Sequence, residues 1–257
     1  MSWSPEQYGI FEAQRSRPFA DLVARITARS PRRVVDLGCG TGALTATLAA
    51  RWPEAEVVGV DSSPEMLAAA ARGADAAPNL SFVRGDIAEW MPAEGDDVVI
   101  SNAALQWVPE HRPLLARWFA GLGSGAQLAV QMPANAASPS QTLLRELADS
   151  PRWAPRLDGL VVVLENVAPL PEYLELAFAA GLAVEGWETS YHHVLPGEDP
   201  VLEWVAGTRL RPFVAALGDE APAFVEEYRQ ALRAAFPPGP AGTVFPFHRI
   251  FFAVAKR

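Results

Sequence analysis

The chain has 257 residues, half of them hydrophobic and a fifth charged, and carries 30 acidic against 21 basic residues for a net charge of −9. That length supports a sizeable buried core, and the acidic balance without a Lys/Arg block argues against a nucleic-acid partner. Cys39 is the one cysteine, which precludes an internal disulfide, and no apolar run reaches the roughly 18 residues of a membrane span.

The opening MSWSPEQYGIFEAQRSRPF lacks the basic start and apolar stretch of a signal peptide, so the expected location is cytoplasmic. Residues 5–29 read as helical, with Phe11, Phe19, Leu22, Val23 and Ile26 on the apolar face, and Pro31 ends them. A short apolar strand at 33–38 runs into a glycine turn, a helix at 42–52 and a second strand at 55–61. Ser63 followed by Pro64 is a strong helix start, for a helix at 63–72. Strands follow at 80–86, 96–102 and 126–133, with a helix at 112–122 before the last of them. Alternating strands and helices predict right-handed crossovers and a parallel sheet, an α/β fold. Beyond 133 the rhythm loosens: helices at 139–150 and 171–181, a strand at 182–195, two further helical stretches and a final strand at 247–257. No internal repeat or low-complexity linker interrupts this. The expected organisation is a single domain over 1–257, with an N-terminal helical cap at 1–30 and a helical cap insertion at 192–246 before the last strand.

The turn Gly38-Cys39-Gly40-Thr41-Gly42 lets backbone approach a ligand at a helix N-terminus. With Ala43 it also satisfies the dinucleotide fingerprint, a match that does not name the ligand. Two acids narrow the choice. Asp61 ends the second strand, where a carboxylate accepts hydrogen bonds from ribose hydroxyls and disfavours a 2′-phosphate. Asp36 lies just before the turn, where it would repel a pyrophosphate but tolerate a cationic or zwitterionic ligand. S-adenosylmethionine, with its sulfonium and ammonium, meets that condition. Asp86 and Ile87 end the third strand, placed to give an adenine edge a hydrogen bond and an apolar wall.

In order and spacing, VVDLGCGTG, VVGVDSSPEML, FVRGDI and VVISNAALQWV resemble the successive motifs of class I S-adenosylmethionine-dependent methyltransferases. The resemblance implies a Rossmann-like, seven-stranded, mostly parallel sheet with helices on both faces and the last strand antiparallel. It also implies that S-adenosyl-L-methionine is held by Gly38, Cys39, Gly40, Asp61, Ser62, Met66, Asp86, Ile87, Asn102 and Ala103, with Asp36 beneath. The N-terminal segment, with Tyr8 and Arg17, is implied to close over it. Leu37, Val57, Val58 and Val60 are expected in the core, and Cys39 as a packed loop residue rather than a nucleophile. His192 and His193 are adjacent, so on a strand they face opposite ways and form no metal pair; no metal is expected.

The segment after the fourth strand, SNAALQWVPEHRPLL, lacks the prolines of the (D/N)PP(Y/F) pattern of base N-methyltransferases. It resembles two small-acid methyltransferase families, one acting on trans-aconitate and one on malonyl-acyl carrier protein. WSPEQYGIFEAQRSRP, RWPEAEVVGVDSSPEM, LAVQMPAN, TSYHHVLP, EWVAGTRLRPF and FPFHRIFFAVAKR extend the likeness to the trans-aconitate 2-methyltransferases over almost the whole chain, with 151–170 as the divergent stretch. The implied reaction is carboxyl O-methylation giving a monomethyl ester. A carboxylate is already ionised at neutral pH and needs no general base. A polyanionic acceptor needs cationic clamps, for which arginine is suited. The candidates are Arg15, Arg17, Arg209, Arg211 and Arg249, with Tyr191, His192 and His193 as further donors and Gln106 and Trp107 lining the acceptor side. Glu110 and His111 are expected only to start a helix. No obligate protein partner is evident. Rival readings are another small carboxylate or a carrier-bound malonyl group as acceptor, a nicotinamide-dependent dehydrogenase, and a non-catalytic S-adenosylmethionine-binding protein.

Overall fold

A computed structural model describes residues 12–74, 77–157, 160, 166–207 and 209–257. The first described helix, α1 (Glu12–Val23), is followed by β1 (Arg33–Leu37), α2 (Ala43–Arg51), β2 (Glu56–Asp61), α3 (Pro64–Ala74), β3 (Leu80–Arg84), β4 (Asp96–Asn102), α4 (His111–Gly121) and β5 (Gln127–Pro133). These bounds match the expected elements to within a few residues. The exception is α1, which stops at Val23. There Arg25 N–H donates to Leu22 O and Ile26 N–H to Val23 O, tightening the last turn and ending the helix ahead of Pro31. The start of α3 behaves as its sequence predicts: Ser63 Oγ accepts the Met66 N–H at 3.2 Å.

After β5 come α5 (Pro139–Ala148), α6 (Ala154–Leu157), α7 (Leu170–Ala179), β6 (Ala183–Leu195), α8 (Pro200–Ala206), α9 (Arg211–Leu217), α10 (Ala221–Ala235), β7 (Pro238–Gly239) and β8 (Gly242–Ala255). The last strand begins at Gly242, five residues earlier than the sequence suggested. Pro246 hid that extension, because a proline is costly inside most strands. It is tolerated here at an exposed position of a strand whose alternate residues, Thr243, Phe245, Phe247 and Arg249, are buried.

The sheet has the order β3-β2-β1-β4-β5-β8-β6, with the short β7 paired antiparallel to β8. The pairs β1–β2, β1–β4, β2–β3 and β4–β5 are all parallel. Strand order reverses between β1 and β4. In such a sheet the crevice for a ligand opens outside the carboxyl ends of those two strands, where the turns after Leu37 and after Asn102 lie.

The chain divides into two compact units: one formed by the chain through Ala134 with Asn166–Glu188 and Ile250–Arg257, the other by Asn135–Glu165 and Thr189–Arg249. In the first, Val35, Leu37, Val58, Val60 and Val99 from the sheet pack with Trp118 and Phe119 of α4. Trp118 stands edge-on to Trp90 at 5.2 Å, and its Nε1 donates to the Trp90 carbonyl, so the buried indole leaves no orphan donor. In the second, Phe213 stacks on Phe224 at 5.7 Å and Trp153 meets Phe224 edge-on at 5.3 Å. Tyr228 donates its hydroxyl proton to Ser140 O at 2.6 Å. No described helix is long and apolar enough to cross a membrane.

Candidate active site

The turn after β1 is built by backbone bonds that only a particular chain path allows. Gly38 and Cys39 N–H both donate to Val60 O, at 2.8 and 3.1 Å, folding the turn back over β2. A Cβ at Gly38 would lie 2.3 Å from the Ala104 Cβ, which shows how closely the β1 and β4 turns approach each other. At Gly40, φ is +56° and a Cβ would meet nothing within 4 Å. The backbone there borders open space, as a ligand cradle requires.

Asp61 holds this turn from β2: its Oδ2 accepts the Gly40 N–H and its Oδ1 the Ser63 N–H, each at 2.9 Å. A carboxylate has about four acceptor positions, so room is left for a ligand's hydroxyls. Asp36 is buried, with Thr45 Oγ1 donating to it at 2.7 Å. Burial, with the Asp61 charge adding to it, raises its pKa from 3.8 to about 6 despite that hydrogen bond. Cys39 is buried, and burial together with the Asp36 and Asp61 charges drives its thiol pKa far up, so it offers no thiolate. Asp86 is exposed and accepts the Ala88 N–H at 2.8 Å, while Ile87 packs half-buried against the core. Met66 is buried and Ser62 exposed.

The turn after β4 carries the second group of candidates. Ala103 has φ +54°, the only positive φ at a non-glycine among the described residues. Such a conformation costs an alanine roughly 1–2 kcal/mol and persists only where its surroundings enforce it. Here Ala103 N–H donates to Gln131 O at 2.9 Å and Gln106 Nε2 donates to Ala103 O at 2.6 Å. Buried Asn102 Oδ1 and Gln106 Oε1 have no hydrogen-bond partner. Two buried unpaired carbonyl oxygens and a buried carboxylate suit a ligand that brings positive charge or donors.

A family model described as "Methyltransferase domain" matches residues 34–125, the span from β1 to just before β5. The trans-aconitate 2-methyltransferase of Streptomyces avermitilis is 50% identical over 262 residues, covering 100% of this chain and 97% of its own. That of Rhodococcus jostii is 51% identical over 253 residues, covering 97% of each chain. The chain belongs to the trans-aconitate 2-methyltransferase family. Solved structures bear out the fold. The YcgJ protein of Bacillus subtilis aligns with a TM-score of 0.59 at 16% identity, over 94% of this chain and 98% of its own. A phosphoethanolamine N-methyltransferase of Haemonchus contortus, solved with S-adenosyl-L-methionine, aligns with a TM-score of 0.54 at 17% identity, over 93% of this chain and 52% of its own.

In this trans-aconitate 2-methyltransferase family member the candidate residues divide between the two units. The glycine turn, Asp36, Asp61, Ser62, Met66, Asp86, Ile87, Asn102, Ala103, Gln106 and Trp107 belong to the first; Tyr191, His192, His193, Arg209, Arg211 and Arg249 belong to the second. Arg17 is exposed on α1, only the backbone of Arg15 is described, and Tyr8 lies outside the described residues. On β6 the pleat buries Tyr191 and His193 and exposes His192, so the imidazole beside Tyr191 is that of His193. His193 stacks on Trp204 at 5.0 Å, and the Arg249 guanidinium sits 4.7 Å over the Phe247 ring. Arg249 is buried in this aromatic surrounding, where a ring face attracts the cation. Arg209 is half-buried and near enough to Tyr228 for its charge to favour the phenolate against a larger effect of burial. Arg211 is half-buried at the first turn of α9. The period-two pattern Tyr191-x-His193-x-Leu195 was the sequence signal for the buried histidine. Among the described residues no group of three His, Cys, Asp or Glu is arranged to hold a metal.

Proposed function

We propose that this protein is a cytoplasmic carboxyl O-methyltransferase that converts trans-aconitate to its monomethyl ester with S-adenosyl-L-methionine as donor. The observation that carries this reading is family membership extending over the whole chain, through both compact units, rather than over the methyltransferase core alone.

The residues present fit the donor. Gly40 leaves room at the backbone, Asp61 keeps acceptor positions for ribose hydroxyls, and Asp86 with Ile87 offers an edge contact and an apolar wall. Asn102 Oδ1 and Gln106 Oε1 are buried acceptors awaiting donors, and Asp36 contributes negative potential beneath the turn. Gly38, Cys39, Ser62, Met66 and Ala103 complete the cradle in this reading. When bound, S-adenosylmethionine supplies a methyl group on a sulfonium that departs as a neutral thioether. The protein's part is to orient and exclude water. A carboxylate attacks without a base, so rate comes from holding the oxygen in line near contact distance. Gln106 and Trp107 line the acceptor side. Arg209, Arg211 and Arg249, with Tyr191 and His193 on the buried face of β6, are the candidate carboxylate-binding groups of the second unit.

The test is incubation with methyl-labelled donor and trans-aconitate. Base-labile label in the acid supports ester formation. Cofactor binding without label in trans-aconitate rejects this acceptor.

A further inference from the structure

The β4 turn is pinned at its far end by His111, three residues on, and by Asn166, 58 residues away in sequence. Val108 O, one residue past the turn's single 3-10 helix (Leu105–Trp107), receives His111 Nδ1 at 2.9 Å and Asn166 Nδ2 at 2.7 Å. A carbonyl only accepts, so the proton of His111 resides on Nδ1 and its Nε2 is an acceptor. Tyr173 donates its hydroxyl proton to that Nε2 at 2.7 Å, and the same oxygen accepts the Ala168 N–H at 3.0 Å. Asn166 Nδ2 and His111 Nδ1, 3.1 Å apart, are then two side-chain donors converging on one carbonyl, which also accepts the His111 backbone N–H at 3.2 Å. His111 and Tyr173 are fully buried with their rings stacked at 5.7 Å, and Tyr173 stacks in turn on Phe252 at 5.4 Å. Burial lowers the His111 pKa and raises that of Tyr173 to about 12, so the chain of bonds stays neutral at physiological pH.

This network supports a turn that is unfavourable by itself. The turn contains the strained Ala103 and, with Asn102 before it, two buried oxygens without partners. Its first residue is tied to β5 through Gln131 O and its last carbonyl to α4 and the 166–173 segment. A conformation of this kind needs its ends fixed, and a function explains why it is kept.

We infer that His111, Asn166 and Tyr173 are positioning residues for methyl transfer, acting through Val108 to fix the turn that bears Gln106 and Trp107. The inference rests on the reading that this turn faces the acceptor. None of the three touches substrate; they set where the two that do are held.

The experiment compares Tyr173→Phe, Asn166→Ala and Asn166→Asp with the wild-type protein. It measures kcat and KM for trans-aconitate, the Kd of S-adenosylmethionine by calorimetry, and Tm. Tyr173→Phe keeps the stacked ring and removes only the hydroxyl, and Tm reports what the loss of its two hydrogen bonds costs the fold. Displacing a reacting group by an ångström costs about 100-fold in rate, so kcat should fall roughly 10- to 100-fold in Tyr173→Phe and Asn166→Ala, with cofactor Kd nearly unchanged. Asn166→Asp should be worse than Asn166→Ala, because it sets a carboxylate against the Val108 carbonyl. The double variant should lose less than the product of the single losses, since both act on one carbonyl. Lowered Tm with wild-type kcat and KM would reduce the network to packing and overturn the inference alone. A wild-type protein inactive on trans-aconitate would overturn the inference and the reading beneath it together.

Discussion

Replacing Asp36 with asparagine should remove a pH-dependent cost to the ligand-free protein, so that the variant gains stability relative to wild type as pH rises. Unfolded, this carboxyl titrates near 3.8; folded, near 6. Between those values the folded state binds more protons than the unfolded state, so stability falls as pH rises through that window and is flat above it. The full cost is the shift of about two units at 1.36 kcal/mol per unit, or about 3 kcal/mol. Around pH 4.5 about 1 kcal/mol of it has developed, and by pH 8 all of it. The replacement amide keeps an oxygen to accept the Thr45 hydroxyl proton and does not titrate. Urea denaturation of both ligand-free proteins at the two pH values should show the variant gaining about 2 kcal/mol relative to wild type on going from pH 4.5 to 8. The same substitution should weaken binding of cationic S-adenosylmethionine, since the buried charge that destabilises the empty site attracts the sulfonium and ammonium. A stability difference independent of pH would refute the argument from burial. Undiminished cofactor affinity would refute the electrostatic role.

Other substitutions separate the glycines of the turn and the clamps of the acceptor. Gly42→Ala would place a Cβ 2.4 Å from the Phe82 ring and 2.9 Å from Ala70 Cβ, and with its left-handed φ should cost about 3 kcal/mol or more by thermal or urea unfolding. Gly40→Ala meets no atom and should cost only about 1 kcal/mol from its φ, yet calorimetry should show weakened cofactor binding because the methyl fills the cradle. Arg211→Ala should raise KM for trans-aconitate about tenfold or more, the worth of a charged hydrogen bond, with cofactor Kd unchanged; unaltered steady-state kinetics would remove Arg211 from the site.

The half of the chain through β5 was legible because its signals are local. Apolar runs such as 33–38 can only be buried strands here, glycines mark the sharp turns, and Asp36 and Asp61 stand at strand positions where an acid has few structural reasons to be. The latter half was harder to read. β8 carries Pro246 at an exposed position among its first residues, so those residues looked like loop. His111 looked like an ordinary helix start, and α4 does begin there. What fixes it, Tyr173, lies 62 residues away, and no spacing rule reports a contact made only by tertiary folding. The unmatched oxygens of Asn102 and Gln106 are likewise properties of burial, while the place of these residues at the end of β4 and just after it was implied by the family resemblance of VVISNAALQWV.

The central claim is the acceptor, and one comparison tests it most directly. It is kcat/KM for methyl transfer from labelled S-adenosylmethionine to trans-aconitate, cis-aconitate, citrate, isocitrate and malonyl-carrier protein, measured side by side. The account predicts that trans-aconitate leads and that its product is a base-labile monomethyl ester. A higher value for malonyl-carrier protein, or turnover on none of the acids while the cofactor binds, would contradict it.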